Sequence, residues 1–300
     1  MGESTLSWNP ADDVRQLLHY PFMVHAFAAG TIVAIVAGLI GWYVTLRRQT
    51  FAAHTIAVMS FPGAAGAALA SLPIAFGYYL ACALAGVAIG AGRRVRSRES
   101  ATIGAVQVAG LALGFLFLGL YGGVLEDLET LLFGSFLGID TAQVLTLLAV
   151  AGAVLVTLAL VGRPLLLASL DLQVARAWGL PVRALDMGFM LLLALAVAAI
   201  SQLTGALLVF ALLVAPAAAA QTLTGRPGLG LLVSVTIALA VVWGALALAY
   251  FSIYPLGFFV SSLAFTAYLL AKLGRAIAMN TRARRAMSLD GGRMSPAQAG

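Results

Sequence analysis

The chain has 300 residues, of which 62% are hydrophobic and only 9% charged, with a formal net charge of +6. A water-soluble domain carries about 25% charged residues and 45–50% apolar ones, so there is too little charge here to coat a globule in water. Runs of about 20 apolar residues cross a ~30 Å hydrocarbon layer as helices, and the composition therefore reads as an all-α, polytopic transmembrane helical bundle in a cell membrane.

Taken in chain order, apolar stretches fall at about 22–46, 52–70, 73–91, 101–121, 142–162, 185–201, 203–221, 229–250 and 254–273, which gives about nine spans, with eight as the alternative. The first follows an acidic leader (Glu3, Asp12, Asp13) and stops at Arg47-Arg48, unlike a cleaved signal peptide. A turn around Ala70-Ser71-Leu72-Pro73 joins the second and third. Gly86-x-x-x-Gly90 and Gly110-x-x-x-Gly114 put small residues one turn apart, where helix backbones can approach closely within the bundle. Cys82 sits inside the third span as a small packing residue. A lone cysteine excludes a disulfide framework and cysteine-type zinc sites. The single lysine, Lys272, has no Gly-x-x-x-x-Gly-Lys context, so there is no P-loop.

Residues 163–184 form the longest connection on their side of the membrane and read as a short, well-punctuated helix. Ser169 or Asp171 is placed to cap its first free backbone N–H groups. Gly179 suits a left-handed C-cap and Pro181 blocks continuation. Leu170, Val174, Ala177 and Trp178 recur at helical spacing opposite Asp171, Gln173 and Arg176, a pattern that fits a groove in a partner better than the membrane lipid surface.

Charge sets the expected orientation. With the N-terminus outside and the C-terminus cytoplasmic, all of the 17 basic residues but Arg15 fall in cytoplasmic loops, from Arg47 and Arg48 through Arg93, Arg94, Arg96, Arg98, Arg163, Arg176, Arg183 and Arg226 to the tail. Glu3, Asp12, Asp13, Glu126, Asp127, Glu129 and Asp140 fall outside. That basic distribution belongs to membrane topology and argues for no nucleic-acid partner. The chain divides into an external segment (1–21), a membrane domain (22–273) and a basic, disordered cytoplasmic tail (274–300).

The span interiors hold almost no ionisable side chain. Ion-coupled carriers usually place Asp, Glu, Lys or Arg in the bilayer, yet here His54 is the main candidate, and Asp186 lies close enough to the membrane edge to stay hydrated. Without a Ser/His dyad in a workable position, intramembrane hydrolysis is also disfavoured. The chain reads as a pore-forming protein and not an enzyme, with uphill transport powered by a separate subunit.

Three segments resemble one family. Asp171-x-x-x-Ala175-Arg176-x-x-Gly179-Leu180-Pro181-Val182 is similar to the Asp-Glu-x-x-Ala-x-x-x-Gly-x-Pro-Val segment of permeases from zinc/manganese ABC importers. Leu46-Arg47-Arg48 followed by Phe61-Pro62-Gly63, and Gly205-Ala-Leu-Leu-Val leading to Pro216-Ala217-Ala218, resemble two further stretches in the same order across roughly 25–273. The resemblance implies a permease subunit of an ATP-driven importer. It would work as a dimer with a second permease copy or homologue, a cytoplasmic ABC ATPase and an extracellular solute-binding protein. No cofactor is bound directly: ATP belongs to the ATPase, and zinc or manganese is the cargo. The loop helix corresponds to the family's coupling helix, so Asp171, Ala175, Arg176, Trp178 and Gly179 are expected to dock into the ATPase.

The resemblance thins where cargo would pass. The family's second span carries Asp-x-x-x-His, two ligands one turn apart; here these positions hold His54 and Val58. Leu132-Phe133-Gly134-Ser135 has Ser135 in place of an acid. The expected path residues are thus His54, Met59, Ser60 and Pro62, with His54 alone as a metal ligand. The alternatives are a permease for a chelated metal or another solute, and an ion-coupled carrier. His19 and His25 are expected near the outer face in ordinary interfacial roles.

Overall fold

The computed structural model describes residues 20–92, 99–121, 139–252 and 254–291. Its helices are α1 (Pro21–Leu46), α2 (Thr50–Leu69), α3 (Ile74–Gly92), α4 (Glu99–Tyr121), α5 (Thr141–Leu170), α6 (Leu172–Ala177), α7 (Val182–Leu223), α8 (Pro227–Tyr250) and α9 (Leu256–Gly291), with no strand among the described residues. Among the described residues, eight segments are long and apolar enough to cross a membrane, the sixth being α7a (Val182–Gln202); a further apolar helix, α7b (Leu208–Leu223), is shorter. At 1.5 Å per residue α7b is about 24 Å long, just under the ~30 Å of a hydrocarbon core.

α7 is where the sixth and seventh apolar stretches meet. Drawn straight, its 42 residues would run about 63 Å. Instead both ends lie against the same end of α1. Asp186 pairs with Arg47, and the Gln221 side chain donates to the Trp42 carbonyl at 2.9 Å. The chain doubles back at Gly205, whose φ of 71° and ψ of 166° fall in a region essentially reserved for glycine. No polar loop is needed to turn the chain, only one residue without a Cβ. Tyr20 then lies beside Tyr250 at one end of the bundle, and Arg275 donates to the Thr222 carbonyl at the other.

α1, α2 and α7a form the buried centre, while α4 and α5 expose most of their apolar surface. With no hydrophobic force between helices in lipid, close packing holds such a bundle together, and glycines set the closest approaches. A Cβ on Gly41 would overlap the Leu213 carbonyl, and Gly63 and Gly77 would each strike the other's backbone. The two small-residue pairs also pack helices. Gly86 and Gly90 face Met190 and Met187 on α7a, and Gly110 and Gly114 face Met59 and Phe61 on α2.

Two boundaries differ from the sequence reading. The fifth span continues through Pro164 to Leu170, so the connection starts at Asp171 and not at Arg163. Leu165 is buried there, and that burial offsets the hydrogen bond a mid-helix proline forfeits. The tail expected to be disordered from 274 is helical to Gly291, in keeping with its run of Ala, Arg and Met, all strong helix formers. Residues 1–19, Arg93 to Arg98, Glu126 to Glu129, the 132–135 segment and the last nine residues lie outside the described residues, and with them His19, Ser135 and all of the expected external segment (1–21) but Tyr20 and Pro21.

Candidate coupling helix and translocation path

α6 is built by local chemistry. The Asp171 carboxylate accepts hydrogen bonds from the backbone N–H groups of Gln173 at 2.9 Å and Val174 at 3.0 Å, which makes it the N-cap. Ser169 is not the cap: it sits in α5 and donates its hydroxyl to the Leu165 carbonyl. At the other end Gly179 has a φ of +71°. Its N–H bonds the Arg176 carbonyl at 3.0 Å and that of Leu180 the Ala175 carbonyl at 3.1 Å, the paired closure of a Schellman motif.

The five residues expected to meet a partner separate into two groups. Ala175 is fully buried and faces this chain's own bundle. Asp171, Arg176, Trp178 and Gly179 are exposed, Trp178 to 75%. Leu170, Leu172 and Val174 are exposed as well, so the short helix presents a small apolar crown around Trp178. A cleft of about 650 Å³ opens beside it, bordered by Arg48, Gln49, Arg176 and Asp186. The base of the helix is tied down by Arg47. Its Nη1 donates to Ser169 Oγ at 2.8 Å, its Nη2 pairs with the Asp186 carboxylate, and its guanidinium stands 5.1 Å from the Phe189 ring centroid.

The four path candidates do not converge. His54 is half-buried and meets the Phe210 ring of α7b edge-on at 5.0 Å, and its Nδ1 is buried without a hydrogen-bond partner among the described residues. Ser60 donates to the Ala57 carbonyl at 2.6 Å and is closed inside its own helix. Met59 lies over Gly110 of α4, and with Pro62 it lines an apolar cleft of about 480 Å³ between α2, α3 and α4. Met59 and Pro62 therefore face away from His54, toward α4. Val58 is buried as a core residue. No group of three or more His, Cys, Asp or Glu side chains comes together among the described residues.

Sequence reasoning singled out Arg47, Ser169 and Asp186 separately but missed that they meet. They are separated by 122 and 139 residues, and no local pattern carries that information. It also missed the partly buried bond from Thr55 to Gln107 Oε1 at 3.0 Å, which ties α2 to α4. A polar residue at a core-facing position of each span was the available signal.

The glycines of two resembling segments now have physical roles. Gly63 lets α2 and α3 touch backbone to backbone, and Gly205 reverses α7. Comparison with known proteins gives the family. The profile of the ABC 3 transport family matches residues 19–275. The manganese transport system membrane protein MntC of Halalkalibacterium halodurans is 32% identical over 242 residues, covering 79% of this chain and 81% of that protein. The chelated iron transport system membrane protein YfeC of Yersinia pestis is 33% identical over 224 residues, 74% of this chain and 76% of that one. Among solved structures, PsaBC from Streptococcus pneumoniae in complex with Fab superposes with a TM-score of 0.77 at 25% identity, over 87% of this chain and 94% of that chain. A membrane bundle that reverses at a glycine, carries a capped loop helix at one end and matches this profile over nearly its whole apolar length belongs to the ABC 3 transport family of integral membrane permeases.

Proposed function

We propose that this chain is the membrane-spanning permease subunit of an ATP-driven importer for a divalent metal ion, manganese or zinc. The observation that carries this reading is α6, a helix locked at both ends that offers exposed Trp178 and Arg176 beyond the membrane-spanning helices. In this reading a cytoplasmic ABC ATPase receives that crown, an extracellular solute-binding protein delivers cargo to the opposite end, and a second permease copy or homologue completes the pore. The α6 end is the cytoplasmic one. Arg47, Arg48, Arg176, Arg183, Arg226 and Arg275 all lie toward it, as the positive-inside bias requires, while Asp140 caps α5 at the far end.

ATP bound to the partner supplies the work, and closure of the ATPase shifts the population between inward- and outward-open arrangements of the two permease halves, which rock against each other. His54 is the transient ligand in the path. A neutral imidazole suits zinc, while manganese draws more on carboxylate, carbonyl and water oxygens, and the free Nδ1 leaves His54 available. A binding protein that selects the ion outside frees the pore from holding it tightly, so one weak ligand per chain suffices.

A second reading, import of a chelated metal, is favoured by Val58 at the family's histidine position, by the missing ligand cluster among the described residues and by the similarity to YfeC. The test is uptake into proteoliposomes holding the chain with its ATPase and binding protein. ATP-dependent entry of radioactive manganese or zinc supports the first reading. Entry of ferric chelate alone supports the second, and concentrative uptake without the ATPase overturns both.

A further inference from the structure

We propose that Arg47 is a positioning residue that makes α6 and the bundle core move as one body, so that force applied at the loop helix reaches the pore. This rests on the reading of α6 as the ATPase-facing helix. α6 itself has little grip on the bundle, since only Ala175 is buried. It hangs between two legs, the end of α5 and the start of α7a, and one guanidinium holds both. Nη1 takes Ser169, two residues before the Asp171 cap, while Nη2 takes the Asp186 carboxylate and the planar face covers Phe189. The Arg47 side chain is 6% exposed, against 36% for Asp186, so the cation is the inner, fixed member of the pair.

Arg47 lies at the end of α1, which is joined to the rest of the core backbone to backbone. Gly41 rests on the Leu213 carbonyl of α7b, and a Cβ on Gly38 would meet Val235 of α8 at 2.7 Å. A push on either leg is thus relayed through the guanidinium to α1 and from there to α7b and α8. Only arginine offers a rigid fork that bonds a hydroxyl and a carboxylate at once while stacking on a ring; a lysine ammonium is a single point on a flexible stem.

The test uses the full chain reconstituted with its ATPase, carrying nitroxide labels at exposed Gln173 on α6 and exposed Leu72 at the far end of the bundle. In the otherwise unaltered chain the distance distribution between the labels stays narrow and does not move on addition of ATP. In Arg47→Gln and Arg47→Lys it broadens or shifts with ATP, and manganese uptake per ATP hydrolysed falls about fivefold or more while hydrolysis itself persists. Ser169→Ala, which leaves the ion pair intact, shows a smaller change in the same direction and carries the test if the Arg47 variants fail to fold. A distribution that stays narrow in the variants overturns the proposal, as does one that already moves with ATP in the unaltered chain. Hydrolysis and uptake falling in parallel with a lowered melting temperature reduces Arg47 to a merely structural role and also overturns it. A chain that retains no ATPase at all overturns the permease reading, and this proposal with it.

Discussion

α6 and the His54 turn of α2 are both short segments placed by resemblance to one family, yet the structure treats them differently. In α6 the pattern residues that build the helix are kept, and each has a visible physical task. Asp171 caps, Ala175 anchors, Gly179 turns the chain and Trp178 faces outward. In α2 the positions that the resemblance matches to a ligand pair hold His54 and Val58, and the structure sets the imidazole against Phe210, within no group of three or more His, Cys, Asp or Glu side chains among the described residues. The difference teaches that the α6 end of this permease is fixed by backbone geometry, which tolerates little change. The His54 turn rests on a few side chains that can be exchanged without disturbing the fold.

The comparison can be broken most severely at Gly63, in the same helix as His54. Gly63→Leu forces a side chain into the Gly77 backbone. Because backbone cannot step aside, the cost exceeds the ~1–3 kcal/mol of ordinary overpacking, and monodisperse protein is lost on size-exclusion chromatography in detergent. Next comes Arg47→Ala, which leaves Asp186 without its partner. As Asp186 is partly exposed and can rehydrate, the loss of stability in thermal unfolding falls below the ~3–5 kcal/mol expected for breaking a fully buried pair. Gly179→Val puts a β-branched residue at φ +71°. It costs about 1–2 kcal/mol of left-handed strain, confined to α6, so ATPase co-purification and uptake fall while the melting temperature of the bundle hardly moves. Gly179→Asn, which tolerates that region, does less harm.

Asp171→Ala removes two hydrogen bonds to backbone N–H groups and costs about 1 kcal/mol of local helix stability, seen as faster amide exchange at Gln173 and Val174. His54→Ala gives the smallest structural effect of the series. It lowers metal uptake several-fold with ATP hydrolysis unchanged, and unaltered uptake would remove His54 from the path.

Much of the fold was legible because its signals are local. Apolar runs located each membrane-spanning helix among the described residues, and the Asp171, Gly179 and Pro181 punctuation located α6 with the correct caps in view. What stayed hidden has physical reasons too. The fifth span is expected to end near residue 162, but the helix continues through Pro164 and the apolar residues after it. The reversal at Gly205 leaves no polar loop to mark it, so the two arms of α7 were separable only by length. The Arg47, Ser169 and Asp186 tie joins residues far apart in the chain, and Met59 and Ser60 looked like neighbours of His54 until helical rotation carried them to other faces of α2.

The most direct test of the central claim is uptake of radioactive manganese by proteoliposomes that hold the chain and a binding protein, with and without the ATPase. Accumulation that needs both the ATPase and ATP, and disappears in Gly179→Val, is the expected result. Accumulation by the chain without an ATPase, driven by a proton or sodium gradient and indifferent to Gly179, would contradict it.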